Sequence, residues 1–156
     1  YMGLRKILTD KEPALHKVCK PVVNFDAKLF KLLDDMKETL QDANGVGLAA
    51  PQVGILRRVV LVDTGEEILE LINPTLLETS GEQIGAEGCL SVPNVFGDVE
   101  RAAKVTVEYT NRWNKRKKLT ADGLLARCIQ HELDHLQGVL FIDVARSIRR
   151  GDKKQQ

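Results

Sequence analysis

Histidine is scarce in this chain. Only His16, His131 and His135 occur, so a site that needs imidazoles has few places to stand. Cysteine is equally sparse. Cys19, Cys89 and Cys128 are an odd number at irregular spacing, which excludes a disulfide framework and suits a reducing compartment, with the cytoplasm as the expectation. Aromatic residues make up only 4%, so the core must be built from Leu, Val and Ile. Neither charge is in surplus. A formal +1 excludes the broad basic face that nucleic-acid binding requires. No sustained apolar run is present, which argues against a membrane span, and Met2-Gly3-Leu4-Arg5-Lys6 leads into no secretory signal. Tyr1 ahead of Met2 reads as a cloning remnant or the start of a processed precursor, which leaves a mature organelle form open. No repeat, low-complexity stretch or linker divides residues 1–156, so one domain is expected, with 146–156 as a basic, frayed tail.

What is present alternates between helical and extended signals. Asp26 is placed to cap a helix over about 27–43 with Leu29, Leu33, Met36 and Leu40 on one stripe. The stretch from Gly45 to Gly54 carries three Gly and a Pro and reads as loop or bent strand. Residues 57–62 and 68–72 are rich in branched side chains and read as strands, and 105–109 alternates with period two into a hairpin ending near Leu119. A second helix is expected from near Asp122 to Gly138. The class is α+β: mostly antiparallel strands packed around a central C-terminal helix, with the N-terminal helix outside.

That C-terminal helix contains His131-Glu132-Leu133-Asp134-His135. Residues four apart share a helix face about 6 Å apart, so both imidazoles can reach one metal ion. Glu132 is turned about 100° from His131, beside the ion and placed to hold a water. A catalytic ion needs a third protein donor and an open position. His16 lies in a polar segment and reads as a surface side chain, and no His or Glu follows His135. Cys128 shares the face, but its backbone lies ~10 Å from that of His135, so it reads as a small buried residue beside the site. Cys89, bracketed by Gly88 and Pro93 in a short extended segment, is the preferred third ligand. A closed structural zinc site of Cys89, Cys128, His131 and His135 is the competing reading, and a metalloprotease is another.

Three segments stand in order: Gly45-Val46-Gly47-Leu48-Ala49-Ala50-Pro51-Gln52, Glu87-Gly88-Cys89-Leu90-Ser91, and His131-Glu132-Leu133-Asp134-His135. Together they resemble the three motifs of peptide deformylases, which remove the formyl group from the N-terminal methionine of new polypeptides. The resemblance implies Cys89, His131 and His135 as metal ligands and Glu132 as general acid/base toward a metal-bound water. It implies the Gln52 amide and the Leu90 N–H as donors to the developing oxyanion, with Gly47 facing the formyl group. It favours iron(II), while zinc, nickel or cobalt suit the same donors. Val46, Gly47, Gly88, Leu124, Arg127 and Cys128 would line a pocket for the methionine side chain. Arg127 is expected to wall it with its stem while the guanidinium reaches solvent. A Glu87–Arg101 pair would support the Cys89 segment. The partners implied are formyl-methionyl nascent chains and the ribosome near its exit tunnel, although the short basic tail weakens the ribosome expectation.

Overall fold

The computed structural model describes residues 3–151, so Tyr1, Met2 and the end of the basic tail, 152–156, lie outside the described residues. The elements in chain order are α1 (Ala27–Asp42), β1 (Gly47–Ala49), β2 (Val59–Asp63), β3 (Ile68–Ser80), β4 (Gln83–Cys89), β5 (Val92–Arg101), β6 (Lys104–Thr110), β7 (Arg116–Asp122), α2 (Gly123–His135), α3 (Phe141–Val144) and β8 (Ser147–Arg150). They form a five-stranded sheet, β1-β2-β3-β6-β7, and a three-stranded sheet, β4-β5-β8. Every strand pairing is antiparallel, and the α+β class stands.

Within the larger sheet β2 lies between β1 and β3, and its Val59, Val60, Leu61 and Val62 are all fully buried. Strand residues alternate between faces, so the run serves two cores. Val59 and Leu61 join Leu33, Met36 and Leu40 of α1, while Val60 and Val62 join Ala126 and Ile129 of α2. An unbroken apolar strand is what a sheet covered on both faces demands. The α1 helix is capped as read: Asp26 Oδ1 accepts from the Leu29 N–H at 3.1 Å.

Several boundaries differ from expectation. The strand read as 68–72 runs on to Ser80. Asn73 takes a left-handed conformation, φ 51°, in a bulge between Ile72 and Thr75. Its side chain accepts from the Val22 N–H at 2.8 Å and donates to the Val22 carbonyl at 2.9 Å. Pro74 therefore falls where the ladder needs no N–H, and the strand survives it. The C-terminal helix stops at His135, and the chain turns out through Gly138, φ 77°, where a Cβ would lie 2.7 Å from the His16 carbonyl carbon. Residues 147–150 of the expected tail are not frayed: β8 pairs with Val95 to Asp98 of β5. Among the described residues no helix is long and apolar enough to cross a membrane.

Candidate metal centre and its pocket

The β4–β5 hairpin brings the middle of the chain to α2. Along β4 the inward residues are Gln83, Gly85, Glu87 and Cys89, and the two-residue turn Leu90-Ser91 returns the chain so that Cys89 opposes Val92. Two-residue spacing thus delivers the Glu87 carboxylate and the Cys89 thiol to the same helix. One ligand atom from each of Cys89, His131 and His135 lies within 4.8 Å of the others, and Cys89 Sγ is 3.4 Å from His135 Nε2. Cys128 stands outside this group. Its sulfur is 3.5 Å from the Val46 carbonyl oxygen, so the closed four-ligand shell gains no support.

A soft thiolate and two imidazoles are donors that a divalent transition ion accepts, and the fit extends to the tautomer. His131 Nδ1 donates to Glu87 Oε1 at 2.9 Å, which leaves Nε2 for a ligand bond. Glu87 is itself held by Arg101, whose Nε and Nη2 each donate at 2.8 Å. Arg101 in turn reaches Asp134 Oδ2 at 2.6 Å. His135 is fully buried, and its Nδ1 has no partner among the described residues.

Electrostatics follow from this burial. Desolvation pushes the Glu132 carboxyl up to about 7. Burial would raise Glu87 as well, but hydrogen bonds from Arg101 and His131 overcome it and lower that carboxyl to about 2. Burial, reinforced by the charges of His131 and Arg101, drops His135 to about 3. Burial would lower His131 too, but the nearby Cys89 thiol and the hydrogen-bonded Glu87 carboxylate outweigh it and raise that ring to about 10.

Next to the cluster opens a cavity of about 370 Å³. All six expected pocket residues line it: Val46, Gly47, Gly88, Leu124, Arg127 and Cys128. Leu124 is 71% exposed and Val46 55%, so they flank its mouth. Glu132 faces the cavity with Oε1 unpaired among the described residues. Gln52, from the turn Ala50–Val53, is 1% exposed. Its Oε1 accepts from the Ala49 N–H at 2.9 Å, which aims Nε2 at Ser91 Oγ, 3.1 Å away, and Cys89 Sγ, 3.7 Å away.

One pocket expectation fails. The Arg127 guanidinium does not reach solvent. It is buried and donates through Nη1 to Glu87 Oε2 at 2.6 Å and to the Val99 carbonyl at 2.9 Å. The buried carboxylate is the stronger attraction, because a guanidinium can turn inward only where a charge and carbonyls receive it. The Glu87–Arg101 pair is present, but its contact with His131 escaped the sequence reading, as did Phe96, whose ring edge packs over Gly88 and lines the cavity. Neither has a local sequence signature, since both depend on hairpin register.

Comparisons with known proteins agree on one family. The family model for polypeptide deformylase matches residues 4–151. A peptide deformylase of Caldicellulosiruptor bescii is 53% identical over 142 residues, spanning 91% of this chain and 86% of that protein. One from Caldanaerobacter subterraneus is 50% identical over 154 residues, spanning 99% and 96%. Among solved structures, a peptide deformylase from Legionella pneumophila superposes with a TM-score of 0.89 at 45% identity, covering 90% of this chain and 85% of that one. The Thermotoga maritima enzyme gives 0.90 at 41% identity, covering 92% and 99%. With residues 4–151 matched by the family model and the fold shared, this chain belongs to the polypeptide deformylase family, hydrolases that act on an N-formyl amide.

Proposed function

We propose that this protein removes the formyl group from the N-terminal formyl-methionine of newly made polypeptides, releasing formate, with one divalent ion held by Cys89, His131 and His135. The observation that carries the reading is the convergence of those three ligand atoms within 4.8 Å at the edge of a cavity that Glu132 and Gln52 also line. A bound ion would supply Lewis acidity, lowering the pKa of water and polarising a carbonyl near neutral pH. Iron(II) is the favoured ion, and zinc, nickel or cobalt suit the same donors.

The chain's own residues supply the rest. Glu132 takes the proton from the attacking water and returns it to the departing amine nitrogen, a task suited to a carboxyl whose proton affinity is raised by burial. Gln52 Nε2, fixed by the Ala49 and Ser91 contacts, and the Leu90 N–H in the hairpin turn donate to the oxyanion. Each such donor is worth on the order of 10²-fold in rate. Gly47 leaves the formyl group room beside Glu132. Val46, Gly88, Leu124, Cys128 and the stem of Arg127 enclose the unbranched methionine side chain.

The deciding assay compares formyl-Met, acetyl-Met and unblocked peptides of one sequence. Turnover of the formyl peptide alone supports the reading, and internal peptide-bond cleavage would replace it with a metalloprotease. Action on nascent chains in the cytoplasm, near the ribosomal exit tunnel, belongs to the same proposal. Because 147–150 is a paired strand, a deletion there would unpair β5. Charge reversal at Arg150 is the cleaner probe: weaker ribosome co-sedimentation with unchanged peptide turnover is expected, and undiminished co-sedimentation removes the contact.

A further inference from the structure

Glu87 receives four hydrogen bonds. Its Oε1 accepts from Arg101 Nη2 and His131 Nδ1, and its Oε2 from Arg101 Nε and Arg127 Nη1. Arg127 and His131 lie four residues apart on α2, so they share a face and grip opposite oxygens of one carboxylate. Arg101 approaches from β5. A carboxylate held by one guanidinium fork can still swing with that side chain. A second cation, anchored on the helix that carries the histidine, fixes the carboxylate plane against that helix.

Arg127 has a place built for it. Its Nη1 also reaches the carbonyls of Val99, at 2.9 Å, and Gly85, at 3.3 Å, which are directly opposed across the β4–β5 ladder. The guanidinium packs against Gly85, where a Cβ would meet Nη2 at 3.2 Å, Cζ at 3.5 Å and Nε at 3.7 Å. Two guanidiniums, Arg101 and Arg127, here face two carboxylates, Glu87 and Asp134.

We infer that Arg127 is a positioning residue for His131, acting through Glu87, in addition to walling the cavity. The inference rests on the proposed role of His131 as a metal ligand. Partners one step removed from a metal typically change its affinity 10- to 100-fold when lost, and Arg127 stands one contact further out.

The test compares Arg127→Met, which keeps bulk and loses charge, with Arg127→Lys, which keeps a cation. In zinc-loaded enzyme, transfer of zinc to an excess of chromogenic chelator should speed up about 10-fold for Arg127→Met and stay within about twofold for Arg127→Lys. In cobalt(II)-substituted protein the visible d–d bands should shift for the Met variant and hold for the Lys variant. With formyl-Met peptide, the Met variant should lose kcat while KM, which reads the cavity wall, changes little. Unchanged zinc release and spectrum in folded Arg127→Met, or equal defects in both variants, would reduce Arg127 to packing. If Arg127→Met does not fold, Gly85→Ala displaces the guanidinium more gently; it should speed zinc release, and unaltered release sinks the inference. Zinc release that depends on Arg127 in a protein without deformylase turnover would defeat the proposed function alone. Normal turnover with release indifferent to Arg127 would defeat this inference alone.

Discussion

A Cβ placed on Gly47 would lie 2.6 Å from Oε2 of Glu132, so the helix carboxylate occupies the space that any other residue at 47 would fill. Strand β1 and helix α2 approach this closely because one of them carries a hydrogen in place of a side chain. The same Cβ would meet Cys128 Sγ at 2.9 Å. Gly47→Ala should therefore push Glu132 aside, lowering kcat/KM for a formyl-Met peptide by roughly 10²-fold, the usual cost of a misplacement near 1 Å. Metal content and the far-UV spectrum should be preserved. Turnover within a few-fold of the parent would show that Glu132 has other room.

Glu132→Gln separates chemistry from architecture. Turnover should fall by about 10²- to 10⁴-fold, the range for a positioned acid/base, while bound metal stays stoichiometric by elemental analysis. The metal-free protein carries a second signature. Folding raises this carboxyl from 4.5 to about 7, so the folded state tolerates it without penalty below 4.5 and loses stability as pH rises through 7. Denaturant melts should then show Glu132→Gln gaining on the parent between pH 5 and 8, by on the order of 2–3 kcal/mol, with no relative gain below pH 4.5.

Glu87 shifts in the opposite sense. Its folded value is about 2 against 4.5, so its contribution is fully present above 4.5 and disappears as pH falls through 2. Glu87→Gln leaves Arg101 and Arg127 without their shared carboxylate and should cost about 3–5 kcal/mol at pH 7. Chemical denaturation across pH 2–7 tests this. The gap between parent and variant should shrink below pH 4.5, and a constant gap would place the stabilisation elsewhere.

Asn73 ties residue 22 to the bulge in β3 through both backbone polar groups of Val22. Asn73→Ala should cost about 2–3 kcal/mol, from two lost hydrogen bonds and a strained positive φ. Asn73→Gly relieves the strain and should recover part of that loss. Thermal melts that rank Ala above Gly would contradict the account.

Much of the frame was legible without coordinates, because the signals are local. The stripe of Leu29, Leu33, Met36 and Leu40 behind the Asp26 cap, and the helix carrying His131 and His135, follow from a 3.6-residue period that no distant contact needs to set. Helical rise also separated Cys128 from the pair of imidazoles, which directed attention to Cys89. The β4–β5 hairpin shows in the sequence only as a short extended segment, because Gly85, Gly88, Pro93 and Gly97 dilute the apolar alternation that marks a strand. At Asn73-Pro74 the reverse holds: the sequence signals an end to β3, and the structure spends that turn signal on a bulge.

The sequence by itself determined which side chains share a face: two imidazoles a turn apart with Glu132 between them, and Glu87 two residues from Cys89. Only the tertiary structure decided which faces meet. Hairpin register sets Cys89 Sγ at 3.4 Å from His135, turns Glu87 onto His131 and draws the Arg127 guanidinium inward. The reason is the range of the forces involved. Backbone periodicity is fixed within one helical turn, whereas a buried charge goes wherever the packed chain supplies its counter-charge.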